Sequence, residues 1–207
     1  MNKLQHLKEL YNKVCNASKE SLSLSLEDVH HKGLFSLVFH GTEFGSLTRA
    51  FIAYKEILPY SIQLHTHKYP IKLTTLWGAV KHYSAKECEN ITVDSVNLSI
   101  FNYKSPLNGG NGLEYERDGY FLINEYYIPQ GSTIQMDERE IHTVSCSTNS
   151  IWIVEELGNI NESSRVLGVP FSTNGLYNKS DSYIIASVHE NIKNHLNRII
   201  SSYENLM

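Results

Sequence analysis

His65 and His67 stand one residue apart in "SIQLHTHKYPIKLTTLWGAVKHY", Ser61 to Tyr83, and His142 follows "DEREI" far along the chain. On an extended strand residues i and i+2 project from one face, so His65 and His67 present two imidazoles side by side. Two neutral rings so placed can chelate one ion, and imidazole suits iron, zinc, nickel, copper and manganese to differing degrees. An ion held by three protein groups keeps positions open for a substrate or for oxygen. The third group must then come from elsewhere, and the plainer alternative is a polar pair on a wet strand.

Other residues near these runs carry chemistry of their own. Glu155 and Glu156 end the apolar run "SIWIVEEL", where one of the two faces inward if the strand is regular. That carboxylate would be a fourth ligand or an acceptor for a ligand imidazole, and the alternative is a solvated strand end. Arg49 lies in a run leading toward the histidines and suits a substrate carboxylate bidentately. Tyr54, Tyr60 and Tyr69 flank the histidine pair, and His82 and Tyr83 follow Gly78, all able to line a pocket. Tyr83, Tyr54 and Arg49 are therefore the candidate catalytic groups. A histidine base, His67 or His142, with Tyr54 or Tyr83 as acid would instead serve a metal-independent epimerase or isomerase. His30, His31 and His40 lack ligand spacing, and His189 and His195 fall on the polar side of a predicted helix.

The elements that must hold these residues are mostly strands. The runs "LFSLVFHG", "LTRAFIAYKEI", "IKLTTLWGAVKHY", "ITVDSVNLSIFNY", "GYFLINEYYI" and "SIWIVEEL" are rich in β-branched and aromatic residues and separated by Pro, Gly and Asn. No helical pattern between them is long enough for βαβ units, which leaves an antiparallel barrel or sandwich. Leu4, Leu7, Tyr11 and Val14 predict a short N-terminal helix. Ile184, Val188, Ile192, Leu196, Ile199, Tyr203 and Leu206 predict a C-terminal one, started by "NKSDS". Its apolar stripe must pack on its own barrel or on a second copy, so a homodimer stands beside a monomer. "YKSPLNGGNGLEYERDG", Tyr103 to Gly119, predicts an irregular loop, either over a pocket mouth or as a tolerated insertion.

Composition narrows the classes. The chain has 207 residues, 41% hydrophobic and 19% charged, with a formal net charge of -4 and no basic stripe, which argues against a nucleic-acid partner. No run approaches the roughly 20 apolar residues of a membrane span, and the start lacks a signal-peptide core, so a cytoplasmic protein is expected. Cys15, Cys88 and Cys146 lack Cys-x-x-Cys spacing and read as small buried hydrophobes of a reducing compartment. The Asn-x-Ser/Thr sites at Asn16, Asn90, Asn97 and Asn161 matter only in a secreted protein.

The order of these features resembles the cupin superfamily. "HTHKYPIKLTTLWG" supplies the paired histidines and closing glycine, Gly78, of its first motif, and "YYIPQGSTIQMDEREIH" supplies Pro129, Gly131 and His142 of its second. The likeness runs from Leu47 to Leu157, about half the chain. The motif's glutamate is absent, since no carboxylate lies between His67 and Glu87. In that respect the chain is similar to the three-histidine thiol dioxygenases, such as cysteine dioxygenase, and "IHTVSCSTNSIWIV" around His142 is similar to their third-histidine strand. The resemblance implies a mainly β protein, a cupin-type antiparallel barrel or jelly roll with N- and C-terminal α-helices. It would be one domain, with residues 1–22 a helical segment, 33–160 the barrel and 180–206 the C-terminal helix. It implies one divalent ion on His65, His67 and His142, ferrous iron first and nickel, manganese or zinc next. The expected function is a dioxygenase-like oxidation of a small thiol or carboxylate; a non-catalytic ligand-binding barrel and the epimerase-type site are the alternatives.

Overall fold

The computed structural model describes residues 3–40, 47–104, 110–158, 163–168, 182–183 and 186–205. In chain order the first elements are α1 (Lys3–Cys15), α2 (Lys19–Ser23), β1 (Leu26–Glu27), β2 (Leu34–His40), β3 (Leu47–Ala53), β4 (Leu64–His65), β5 (Ile71–Trp77) and β6 (Val80–Glu87). There follow β7 (Val96–Lys104), β8 (Gly112–Ile128), β9 (Thr133–Met136), β10 (Ile141–Cys146), β11 (Ile151–Glu156), β12 (Ser164–Gly168), β13 (Ser182–Tyr183) and α3 (Ala186–Glu204). The cap "NKSDS" and both Ile184 and Leu206 lie outside the described residues or at their edge.

The protein is mainly β, with its strands in two antiparallel sheets and helices toward both ends, the cupin-type jelly-roll arrangement expected. One sheet runs β13-β1-β2-β3-β11-β5-β9. The other runs β10-β4-β12-β7-β8-β6 and closes as β6 pairs with β10 from Ile141↔Ala85 to Cys146↔Val80. Between the sheets lies a core shared by both: Leu34, Ala53, Ile71, Leu73 and Trp152 from the first, Val80, Ile128, Val144 and Cys146 from the second. A second core, Leu64, Ala85, Ile100, Phe121 and Leu167, fills the opposite face of the second sheet. β6 and β8 are therefore apolar on both faces in places, with Val80 and Ile128 on one and Ala85 and Phe121 on the other.

The helices cover the outer face of the first sheet. Leu7 and Val14 of α1 and Ile192 and Leu196 of α3 are fully buried against one another and against Leu37, Ala50, Ile52 and Ile151. Each such side chain contributes about 1.5–3 kcal/mol by leaving water. The stripe of α3 is thus covered by its own chain. Among the described residues no helix is long and apolar enough to cross a membrane, and Cys15, Cys88 and Cys146 are free thiols.

Two boundaries differ from expectation. Within the stretch Tyr103 to Gly119, of which 105–109 lie outside the described residues, strand replaces the expected loop at both ends: β7 continues to Lys104 and β8 starts at Gly112, with Tyr103↔Leu113 and Lys104↔Gly112 paired. Glu114, Tyr115, Glu116 and Arg117 are all exposed, so this half of β8 carries no hydrophobic alternation to signal a strand. The sheets also extend beyond 33–160, because β1, β12 and β13 are too short to show a period yet pair in register with β2, β13, β4 and β7.

Candidate metal centre

β4 is only two residues long, but it is pinned from both sides, with His65 opposite His142 in β10 and opposite Val166 in β12. Thr66 points away and fastens the chain, its NH donating to Arg165 O at 2.9 Å and its Oγ1 accepting from Arg165 N at 2.8 Å. His65 and His67 consequently return to the same side, with ring centroids 4.9 Å apart, and His142 sits 5.0 Å from His65 and 4.9 Å from His67. One nitrogen from each of the three rings lies within 4.8 Å of the others. The cluster faces the inter-sheet core, since His142 alternates along β10 with Val144 and Cys146.

The rings are prepared as neutral donors. Burial, with His30 nearby, lowers His65 to about 4. His67 and His142 are held well below the ordinary histidine value, first by burial and then by the neighbouring rings. His65 Nδ1 lies 2.8 Å from Gln63 O, and a carbonyl only accepts, so the proton is on Nδ1 and Nε2 carries a bare lone pair. His67 Nε2 and His142 Nε2 approach to 2.7 Å. Two nitrogens bound to one ion at about 2.0–2.1 Å and near right angles stand about 3 Å apart, so this spacing is of ligand scale. One shared N–H···N proton satisfies the pair otherwise. A neutral three-nitrogen set fits a divalent transition metal.

Around the histidines the chain is polar but not acidic toward them. Glu156 is the inward-facing member of its pair, 6% exposed, and its Oε1 accepts from Arg49 Nε at 2.7 Å and from Tyr69 OH at 2.7 Å. It is therefore not a solvated strand end. Glu155 points outward and pairs with Lys72 at 2.8 Å. Burial and the Glu156 charge push the Tyr69 phenol up, which keeps it a donor, and its ring lies over His67 at 6.2 Å. Arg49 is close enough to contribute to the lowering of His67. Among the described residues no carboxylate or thiol joins the three histidines.

Of the candidate catalytic groups, Arg49 stands beside the cluster, whereas Tyr83 and Tyr54 do not. Tyr83 alternates to the face of β6 opposite His82, where its hydroxyl meets Ser145 Oγ at 3.2 Å and its ring meets Tyr60. Tyr54 lies on the helix side of the first sheet, stacked on His195 at 4.2 Å and against Phe35 at 4.8 Å. The histidine–tyrosine pairs needed by an epimerase-type site are consequently not assembled. His195 is half-buried on the inner side of α3, not on its polar side.

Two further histidines join the site: His82, already a candidate pocket residue, and His30, which lacks ligand spacing. His82 is 3% exposed, lowered to about 4 by burial, and its Nε2 lies 3.1 Å from His142 Nδ1 and 3.1 Å from Met136 Sδ. The alternation Val80, His82, Ser84 along β6 was its only signal. His30 stacks on His65 at 5.6 Å from a turn in which Asp28 and His30 both have positive φ, a placement no spacing rule reveals.

No family model matches the chain, and no curated protein matches it. Among solved structures it is similar to L-ribose isomerase of Cellulomonas parahominis with L-ribose, at 11% identity and TM-score 0.40, over 90% of this chain and 91% of that one. It is also similar to hydroxypropylphosphonic acid epoxidase from S. wedmorenis, at 12% identity and TM-score 0.39, over 64% of this chain and 54% of that one. A third likeness is to a hydroquinone 1,2-dioxygenase in complex with Cd2+ and 4-hydroxybenzonitrile, at 10% identity and TM-score 0.32, over 57% and 61%. The match thus spans about half the length of the epoxidase and three fifths of the dioxygenase. Likenesses this distant transfer neither an activity nor a residue role.

Proposed function

We propose that the chain is a cupin-type, mononuclear metal enzyme that oxidises a small thiol or carboxylate with molecular oxygen, using ferrous iron on His65, His67 and His142. The observation that carries this reading is the convergence of one nitrogen from each of these rings within 4.8 Å, with no carboxylate joining them among the described residues. Three neutral donors leave the ion its full positive charge, and such an ion favours anionic ligands. When bound, ferrous iron supplies the oxygen chemistry, and the protein supplies placement and polarity. Gln63 fixes the His65 ring, the Thr66–Arg165 hydrogen bonds fix the backbone between the paired histidines, and the Arg49–Glu156–Tyr69 group makes one wall polar. Arg49 is paired with Glu156, so that wall is polar without net charge, and the preference for a small anion comes from the ion itself. Neither nucleic acid nor a membrane is a proposed partner, and the cytoplasm is the proposed compartment.

The test is oxygen uptake by anaerobically reconstituted, ferrous protein against a panel of small thiols and carboxylates. Uptake that depends on both substrate and His142 supports the reading. Tight binding without uptake for every member of the panel would overturn it in favour of a non-catalytic ligand-binding barrel.

A further inference from the structure

His142 has two ring nitrogens, and the metal reading uses only one. Its Nε2 faces His67 at 2.7 Å, while its Nδ1 faces His82 Nε2 at 3.1 Å, in a place where both rings are buried. The two residues ride on adjacent antiparallel strands, β6 and β10, in the register His82↔Val144 and His142↔Ser84, so the ring pair is set by strand pairing and not by a mobile loop.

We infer that His82 is a positioning residue of this centre: its Nε2 accepts the Nδ1–H of His142, which leaves the Nε2 of His142 bare and aimed at His65 and His67. The inference rests on the proposed reading of those three histidines as ligands. Its chemical basis is the tautomer. A ligand imidazole that binds through Nε2 must carry its proton on Nδ1, and a buried N–H needs an acceptor. Met136 Sδ, the other group 3.1 Å from His82 Nε2, can only accept, so it is a partner for that nitrogen when protonated, and when it is bare only His142 of the two can donate to it. In the opposite tautomer His82 donates from Nε2, His142 is protonated on Nε2 toward His67, and an ion is shut out. The His82–His142 pair therefore has two arrangements of its ring protons, and metal binding selects the one in which His82 accepts.

Ring nitrogen-15 NMR of the zinc-loaded wild-type protein reads this directly, with Zn(II) as a diamagnetic probe. The expected result is a protonated Nδ1 on His142 and an unprotonated Nε2 on His82; a protonated His82 Nε2 in the zinc-loaded protein would overturn the inference. Zinc affinity, measured by competition with a chromophoric chelator, gives the second reading. His82→Phe should weaken it about 10- to 100-fold, the usual effect of losing such a partner. His82→Gln, whose amide oxygen can accept the same hydrogen, should restore most of it. A folded His82→Phe variant with wild-type affinity refutes the role, and if that variant does not fold the NMR measurement still decides. Wild-type protein that takes up no zinc sinks the metal reading itself, which separates the two failures.

Discussion

The ion pair of Arg49 and Glu156 shows how one buried carboxylate can shape a site without entering it. Glu156 spends its acceptor oxygen on the guanidinium and on Tyr69, which fixes a polar wall next to His67. Removing it strands a positive charge. A fully buried pair so broken costs about 3–5 kcal/mol; because the Arg49 side chain keeps 23% exposure, Glu156→Ala is expected to cost about 2–3 kcal/mol in urea unfolding. An unchanged unfolding midpoint would contradict that account. His65, His67 and His142 were legible from spacing and resemblance because the His-x-His pattern is local. His82, Glu156 and Tyr69 were legible only as residues able to play some part, since their partners arrive through strand register from 60, 107 and 87 positions away.

At the scale of elements, the turn between β5 and β6 carries Gly78 at φ +78°, where an added Cβ would lie 2.4 Å from Ser150 Oγ and 2.8 Å from Ser150 Cα. Gly131 also has a positive φ, +83°, but nothing within 4 Å of its Cβ position. Gly131→Ala should therefore cost only the left-handed backbone term, about 1–2 kcal/mol. Gly78→Ala should cost clearly more, because β11 must move at its start. Equal losses in a thermal melt would show that the Ser150 approach does not matter. The strand runs were readable because each buries a face of alternating or continuous apolar residues. The β8 part of the Tyr103–Gly119 stretch is not legible because Glu114, Tyr115, Glu116 and Arg117 are all solvated and carry no apolar alternation.

For the whole molecule, the layers separate stability from the site. Leu196 is fully buried in the helix layer, on the far side of the first sheet from the histidines. Leu196→Ala should cost about 2–5 kcal/mol and leave metal uptake of the folded protein unchanged; a loss of uptake would mean that the layers are coupled. The buried histidines give the fold a pH dependence. His65 and His82 titrate at about 4 when folded, against an ordinary value of 6.5. Above 6.5 both states are neutral, and as pH falls toward 4 the unfolded chain takes up protons that the folded chain refuses. The metal-free protein should lose stability across that window, and a melting temperature that stays flat or rises from pH 6.5 to 4 would contradict the burial of these rings.

The central claim is that three histidines from two strand segments hold one ion. Metal content by mass spectrometry tests it most directly, on protein purified without an affinity tag, for the wild type beside His65→Ala and His142→Ala, with folding checked by circular dichroism. The account predicts near-stoichiometric metal in the wild type and its loss in both folded variants. Only traces in the wild type after anaerobic reconstitution, or equal metal in all three proteins, would contradict it.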